Sequence, residues 1–195
     1  MKALFNPFRY IAGVKALIMG LIFIVASALM LYSGNYIQDS YIHLGMADAP
    51  LWYVFAMQVV WWLLPALLLY LCGVVLSKSK IRIIDILGTT AFAQLILLMM
   101  IAPMLLPAVV SSTLEMLSAL QSGAVPDMAS QTPMLIYGIW STFCLILFYI
   151  WNYNAFSVSC NVRGWTAILV FIAIQIAMIL VGMMFLIPLR LNKKL

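Results

Sequence analysis

Five long apolar runs divide the chain. They cover approximately residues 16–32, 51–76, 86–110, 134–151 and 165–189, and none of them contains Asp, Glu, Lys, Arg or His. A helix needs about 20 apolar residues to cross the hydrocarbon core. A charge at the bilayer centre costs about 2.5–3.5 kcal/mol even on the mildest scale. The pattern therefore predicts an all-α, polytopic integral membrane protein with five transmembrane helices.

Composition agrees with this prediction. Hydrophobic residues make up 67% of the 195 residues and charged residues 8%, whereas soluble domains have about 45–50% and 25%. The sequence left between the runs is too short for a separate soluble domain, which usually takes about 50 residues or more. We expect a single transmembrane domain over residues 1–195.

Basic residues occupy alternate gaps between the runs, and this predicts an orientation. Seven lie in the first, third and fifth gaps, counting the N-terminal segment as the first: Lys2, Arg9, Lys15, Lys78, Lys80, Arg82 and Arg163. The gaps at 33–50 and 111–133 carry no Lys or Arg and hold four of the five carboxylates instead: Asp39, Asp48, Glu115 and Asp127. The N-terminus is therefore predicted to be cytoplasmic and the C-terminus external. The basic tail, with Arg190, Lys193 and Lys194, is then an exception on the outer side.

The external gap at 111–133 contains signals for a short amphipathic helix. Ser112 to Glu115 has the form of a capping box, and Gly123 can end a helix, so the segment 113–122 is predicted to lie on the membrane surface. A lid over a binding cavity is the alternative. Pro103 and Pro107 are expected to end the third helix, and a broken helix lining a substrate site is the other reading.

Polar groups within the runs are few. Gln58, Gln94 and Gln175 are the candidate intramembrane contacts, and interhelical hydrogen bonding is their expected role. Proton-coupled transport normally needs a titratable group in the membrane, and the runs contain no acidic or basic side chain. We identify no catalytic motif, cofactor motif or metal-ligand spacing, so an enzyme, a cofactor and a bound metal are not expected.

The densest polar cluster falls in the predicted cytoplasmic segment 151–165. Its Asn and Ser side chains, Asn152 and Asn154 among them, are expected to cap the adjoining helices. The alternative is a docking surface shared with residues 77–85. The candidate partner or lipid contacts on this side are Lys78, Lys80, Arg82, Asp85, Asn152, Asn154 and Arg163. Asp85 is expected to be solvated or paired with Arg82. The net charge of +5 is attributed to contact with lipid head groups rather than to nucleic-acid binding.

Three segments resemble the Yip-domain family, the five-span membrane proteins named for their interaction with Ypt/Rab GTPases. They are Asn6-Pro7-Phe8-Arg9-Tyr10-Ile11, Ile83-Ile84-Asp85-Ile86-Leu87-Gly88-Thr89, and Tyr153-Asn154-Ala155-Phe156-Ser157 with Arg163-Gly164-Trp165-Thr166-Ala167-Ile168. The resemblance implies a five-helix domain with a cytoplasmic N-terminus, no catalytic residue and no cofactor. Eukaryotic members carry a long cytoplasmic N-terminal region, and this chain has only about 15 residues there, as bacterial-type members do. Rab-type GTPase binding is therefore not carried over.

These observations lead to two expectations about function. The first is a non-enzymatic scaffold, adaptor or accessory subunit of a membrane complex, which contacts the bilayer and other membrane proteins or copies of itself. The second is a small-molecule or lipid permease with a site between Gln58, Gln94, Gln175 and the segment from Pro103 to Pro107. A multi-pass location in a bacterial cytoplasmic membrane is expected in either case.

Overall fold

The structure, a computed structural model, describes residues 6–77, 79–123, 125 and 127–192, with the side chains of 185–192 excepted. It is an all-α fold, and within the described residues five helices are long and apolar enough to cross a membrane. This confirms the predicted fold class. The chain is therefore that of a multi-pass membrane protein.

The helices and strands follow one another in a simple order. A short 3-10 helix at Pro7–Arg9 precedes α1 (Gly13–Ser33), β1 (Tyr36–Gln38), β2 (Leu44–Met46), α2 (Leu51–Leu76), α3 (Ile83–Met104), α4 (Pro107–Ser122), α5 (Thr132–Ser159) and α6 (Trp165–Asn192). The membrane-spanning candidates are α1, α2, α3, α5 and α6. Since the five alternate in direction, the two ends of the bundle are composed of different loops. Which end faces the cytoplasm stays a prediction.

Two predicted spans need correction at their ends. The third apolar run was expected to continue to residue 110, but α3 ends at Met104 and Pro107 begins α4. Proline suits the first turn of a helix, where its missing N–H has no partner to lose. The fourth span was expected to end at 151, but α5 continues to Ser159. Most of the segment 152–164 is therefore helix rather than loop.

The amphipathic helix starts earlier than expected. It was predicted over 113–122, and α4 covers Pro107–Ser122. The capping-box prediction is wrong, because Ser112 lies inside the helix and its hydroxyl donates to the carbonyls of Ala108 and Ser130, at 2.9 and 2.7 Å. The predicted stop is correct: Gly123 has a φ of 70°, which glycine adopts without a steric penalty.

The centre of the bundle is a close seam between α1 and α3. Gly20 on α1 faces the backbone of Ala91 and Phe92, and Gly88 on α3 faces the backbone of Gly13. A side chain at either glycine would collide with main-chain atoms. Small residues let two membrane helices approach in this way, because lipid supplies no hydrophobic force to hold larger faces together. The other face of α3 packs on α5, which makes α3 the most buried of the five spans.

A two-stranded antiparallel hairpin covers the end of the bundle where α1 ends and α2 begins. Tyr36 pairs with Met46, and Gln38 pairs with Leu44. The loop between the strands descends onto α6, where Ser40 contacts Gly182. The sequence pattern of residues 33–50 indicates only a gap between spans and does not predict this hairpin. We call this end of the molecule the hairpin end, and the opposite end, where α1 and α3 begin, the basic end.

Candidate functional site

At the basic end, the N-terminal segment is packed into the bundle through an aromatic cluster. Phe8 is 1% exposed and makes edge-to-face contacts with Phe92 of α3 and Trp151 of α5, with ring centroids 6.3 and 5.7 Å apart. The rings of Phe92 and Trp151 stack at 5.8 Å. Aromatic pairs in such arrangements contribute about 0.5–1.5 kcal/mol beyond their burial. The cluster joins three separate segments of the chain into one platform.

Polar contacts around Asp85 complete this platform. The backbone carbonyl of Asp85 accepts hydrogen bonds from Thr89 Oγ1 at 2.8 Å and from Ser159 Oγ at 3.2 Å, and the two hydroxyls lie 2.9 Å apart. Its half-buried carboxylate lies in the first turn of α3, where the helix dipole favours a negative charge. The expected pairing with Arg82 is not among the ion pairs of the described residues.

Basic side chains surround the platform. Those that the structure describes are all exposed and come from four segments: Arg9, Lys15, Lys80, Arg82 and Arg163. None of them forms an ion pair with a carboxylate in the described part of the chain. Lys78, the remaining candidate contact here, lies outside the described residues. The predicted cationic surface is thus assembled at one end, with its charges available to solvent.

The two candidate asparagines differ in their burial. Asn152 was a candidate partner contact, but it is buried on α5, 5% exposed, and its Nδ2 donates to the carbonyl of Phe148 at 2.9 Å. Asn154 is half-buried and accepts a 3.4 Å hydrogen bond from Asn6. Asn152 therefore stabilises the interior of the basic end, whereas the half-buried Asn154 stays a candidate contact. Asn152 was expected at the surface because α5 was expected to end before it.

Cys160 closes the interior at the end of α5. It is fully buried, and its side chain contacts Gly73 of α2 so closely that a side chain at Gly73 would overlap the sulfur. Burial raises the pKa of the Cys160 thiol to about 12, because an apolar environment disfavours the thiolate. The thiol is consequently a packing group rather than a nucleophile.

All three candidate intramembrane glutamines are buried: Gln58, Gln94 and Gln175 are 1%, 5% and 6% exposed. Nε2 of Gln58 has no hydrogen-bond partner among the described residues, whereas the Gln175 amide faces the Tyr41 hydroxyl. Buried polar groups are nearly always paired with protein or ordered water. Gln58 therefore has polar capacity in the membrane interior that helix packing does not use.

The hairpin supplies polar residues that sequence analysis missed. Gln38 is buried, and its side-chain Nε2 donates to the backbone carbonyl of Tyr41 at 3.0 Å. The backbone carbonyl of Gln38 accepts a hydrogen bond from the indole N–H of Trp61 at 3.1 Å. The Tyr41 hydroxyl faces the Gln175 amide, and burial and then nearby Tyr149 raise the Tyr41 pKa above its ordinary value. The sequence signal that could have indicated these interior residues is the presence of polar residues close to two tyrosines in the gap 33–50.

The two tryptophans in the middle of α2 pack in the core. Trp61 and Trp62 are 2% and 7% exposed. The indole of Trp62 donates to Thr90 Oγ1 at 3.3 Å, and buried tryptophan usually finds such a partner for its N–H group.

Three clefts lie near the hairpin end, around α4 and α5. The first, which we call the Gln131 cleft, has a volume of about 680 Å³ and is lined by Met116, Met128, Gln131, Met134, Leu135, Gly138, Ile139 and Thr142. A second of about 690 Å³ lies between Pro103, Val109, Tyr137 and Trp140. A third of about 300 Å³ lies under the hairpin, beside Tyr36, Met100 and Met104. These volumes are within the range of small-molecule sites, and none of the three candidate glutamines lines them.

Comparison of the chain with protein-family models, curated proteins and solved structures finds no match. The resemblance to the Yip-domain family accordingly stays an expectation.

Proposed function

We propose that the protein is a non-enzymatic membrane scaffold or accessory subunit that engages its partners through the basic end. The observation that carries this proposal is the exposed cationic surface around a rigid platform. Four segments contribute the charges, and contacts of Phe8, Trp151 and Asp85 hold the segments together. A surface of this kind suits an acidic partner or anionic lipid at the cytoplasmic face of a bacterial membrane.

The proposal is tested by crosslinking and mass spectrometry in native membranes. The variant Lys80→Gln/Arg82→Gln/Arg163→Gln removes three exposed charges and retains Arg9 and Lys15. A matched control, Asp48→Asn/Glu115→Gln, alters charge at the hairpin end. We expect wild type and control to recover the same crosslinked proteins. The triple variant is expected to recover about a hundredfold less, since each basic residue near an anionic surface contributes about 1 kcal/mol and the three together about 3 kcal/mol.

A topology reporter at the N-terminus must first give the same orientation for all three proteins, because basic loops also direct insertion. Recovery of no partner and no self-association by the wild type would contradict the proposal. Equal recovery by the triple variant would contradict the role of the basic end.

A small-molecule or lipid permease is the second candidate, and the unpaired Nε2 of Gln58 favours it. A transport pathway requires water to reach Gln58 and Gln175. In a cysteine-free background, Gln58→Cys and Gln175→Cys would be exposed to a membrane-impermeant thiol reagent, with Ile22→Cys on the lipid face of α1 as the control. Modification of both glutamine positions, and not of the control, would support a pathway. Protection of both would remove the basis of this candidate.

A further inference from the structure

The Gln131 cleft combines a long apolar wall with one polar end. Its lining comes from α5, from α4 and from the segment that joins them, and is almost entirely aliphatic or thioether. Gln131 lies immediately before α5, at the outermost turn of this span, and Thr142 lies three turns further along the helix. The cleft therefore runs from the membrane boundary into the hydrocarbon region.

The polar end has an unused hydrogen-bond acceptor. Gln131 is only 6% exposed. Its Nε2 donates to Ser130 Oγ at 3.3 Å, but its Oε1 has no partner within the described residues. A buried amide oxygen in that position needs a donor. An ordered water or the polar group of a molecule in the cleft can supply that donor.

The length of the cleft indicates what kind of molecule fits. The eleven-residue step from Gln131 to Thr142 corresponds to about 16 Å at 1.5 Å per residue. One leaflet of the hydrocarbon core is about 15 Å deep, half of the whole. An acyl chain of one leaflet, with its head group beside Gln131, matches both the apolar length and the polar end.

Charge indicates the head group. The chain has no Lys or Arg between Arg82 and Arg163, and the segments around the cleft carry Glu115 and Asp127. Carboxylates favour a cationic donor over an anionic head group. In the first turn of α5, Pro133 has no N–H and the N–H groups of Thr132 and Leu135 donate to the carbonyls of Ala129 and Gln131, which leaves the Met134 N–H for a phosphate oxygen. A zwitterion therefore satisfies both requirements.

We propose that the Gln131 cleft binds one phospholipid with a primary ammonium head group, of the phosphatidylethanolamine class. The ammonium donates to Gln131 Oε1, and one acyl chain lies along Leu135, Gly138 and Thr142. This is a specific lipid site at the hairpin end, separate from the scaffold surface at the basic end.

Phosphatidylcholine provides a matched control lipid, because it has the same net charge and its quaternary ammonium has no N–H to donate. Native mass spectrometry of the purified protein in micelles, titrated with each lipid, measures how much of each is retained. We expect wild type to retain phosphatidylethanolamine about tenfold better, as one charge-assisted hydrogen bond allows. Equal retention of the two lipids would overturn the proposal.

Two variants separate the head-group contact from the chain contact. Gln131→Leu is expected to abolish the preference and to leave phosphatidylcholine retention unchanged. Gly138→Leu fills the cleft and is expected to lower retention of both lipids by about tenfold; a Cβ at Gly138 meets no atom within 4 Å, so the fold tolerates it. Ala173→Leu on the exposed face of α6 is the control. A preference that survives Gln131→Leu, or retention unchanged by Gly138→Leu in protein with wild-type circular dichroism, would overturn the proposal.

Discussion

Replacing Gly20 by Ala is expected to open the seam between α1 and α3. A Cβ at this position would lie 2.5 Å from the backbone nitrogen of Phe92 and would overlap Ala91. Backbone atoms cannot rotate out of the way, so the helices must separate by about 1.1 Å, as set by the backbone carbonyl carbon of Ala91, to reach the ordinary contact distance of 3.4 Å. A gap of that size forfeits about a quarter to a half of the dispersion energy of each contact it opens.

The expected magnitude follows from how much of α1 depends on this seam. Its buried residues are Ala16, Gly20, Ile24, Ser27, Ala28 and Leu31. Overpacking costs about 1–3 kcal/mol, and a collision with main chain places Gly20→Ala near the upper limit. The higher helix propensity of alanine, relative to glycine, raises the free energy of unfolding by about 1 kcal/mol. The net expected loss in the free energy of unfolding is about 2 kcal/mol.

Gly138→Ala is the matched control, because it adds the same methyl group in a spanning helix where nothing lies within 4 Å. Reversible unfolding in mixed micelles, driven by sodium dodecyl sulfate and followed by tryptophan fluorescence, measures both variants. Adding Ala91→Gly to Gly20→Ala is expected to restore only part of the loss, since the backbone nitrogen of Phe92 still collides. Equal stability of the two single variants, or full restoration by Ala91→Gly, would refute the reasoning.

Two further predictions concern the basic end. Phe8→Ala removes the ring that joins Phe92 and Trp151 and is expected to lower the free energy of unfolding by about 3 kcal/mol in the same assay. Phe8→Leu keeps most of the burial and is expected to lower it by less. Wild-type stability of Phe8→Ala would contradict the role of the cluster. For Cys160, burial raises the folded-state pKa from 9.0 to about 12, so its contribution to stability is complete below pH 9 and is lost as the pH rises from 9 to 12. Stability measured over that interval should fall more steeply in wild type than in Cys160→Ala, and native protein should resist alkylation by N-ethylmaleimide at pH 8; parallel pH profiles would contradict this.

The spans could be predicted from sequence because the physical requirement is severe. Lipid tolerates few charges, and the uncharged runs locate α1 and α2 to within a few residues. The end of α3 was misplaced for a related reason. Hydropathy does not distinguish a spanning helix from a following surface helix, so the run through Pro107 looked continuous. Proline at the first turn of α4 marks the boundary there.

The composition of the basic end was predictable only in part. Alternating loop charges place Arg82 and Arg163 on one side, and the structure leaves both exposed. Polarity alone misassigned Asn152, because continuing α5 by two turns brings its amide onto the buried face. The hairpin was not predicted, since three-residue strands are too short to produce a recognisable alternation. Gln38 and Tyr41 could be recognised as interior residues only once that hairpin was in place.

The seam between α1 and α3 also constrains the order in which the chain can assemble. These two helices run in the same direction, and α2 lies between them in sequence. When α1 and α2 have entered the bilayer, the surface around Gly20 still faces lipid, because the residues that cover it, Ala91 and Phe92, belong to a span not yet inserted. The close contact between α1 and α3 therefore forms only after the third span arrives, and α5 joins α3 later still. After α1 has entered the bilayer, its unpacked surface must therefore be kept from other contacts while α2 and then α3 are inserted.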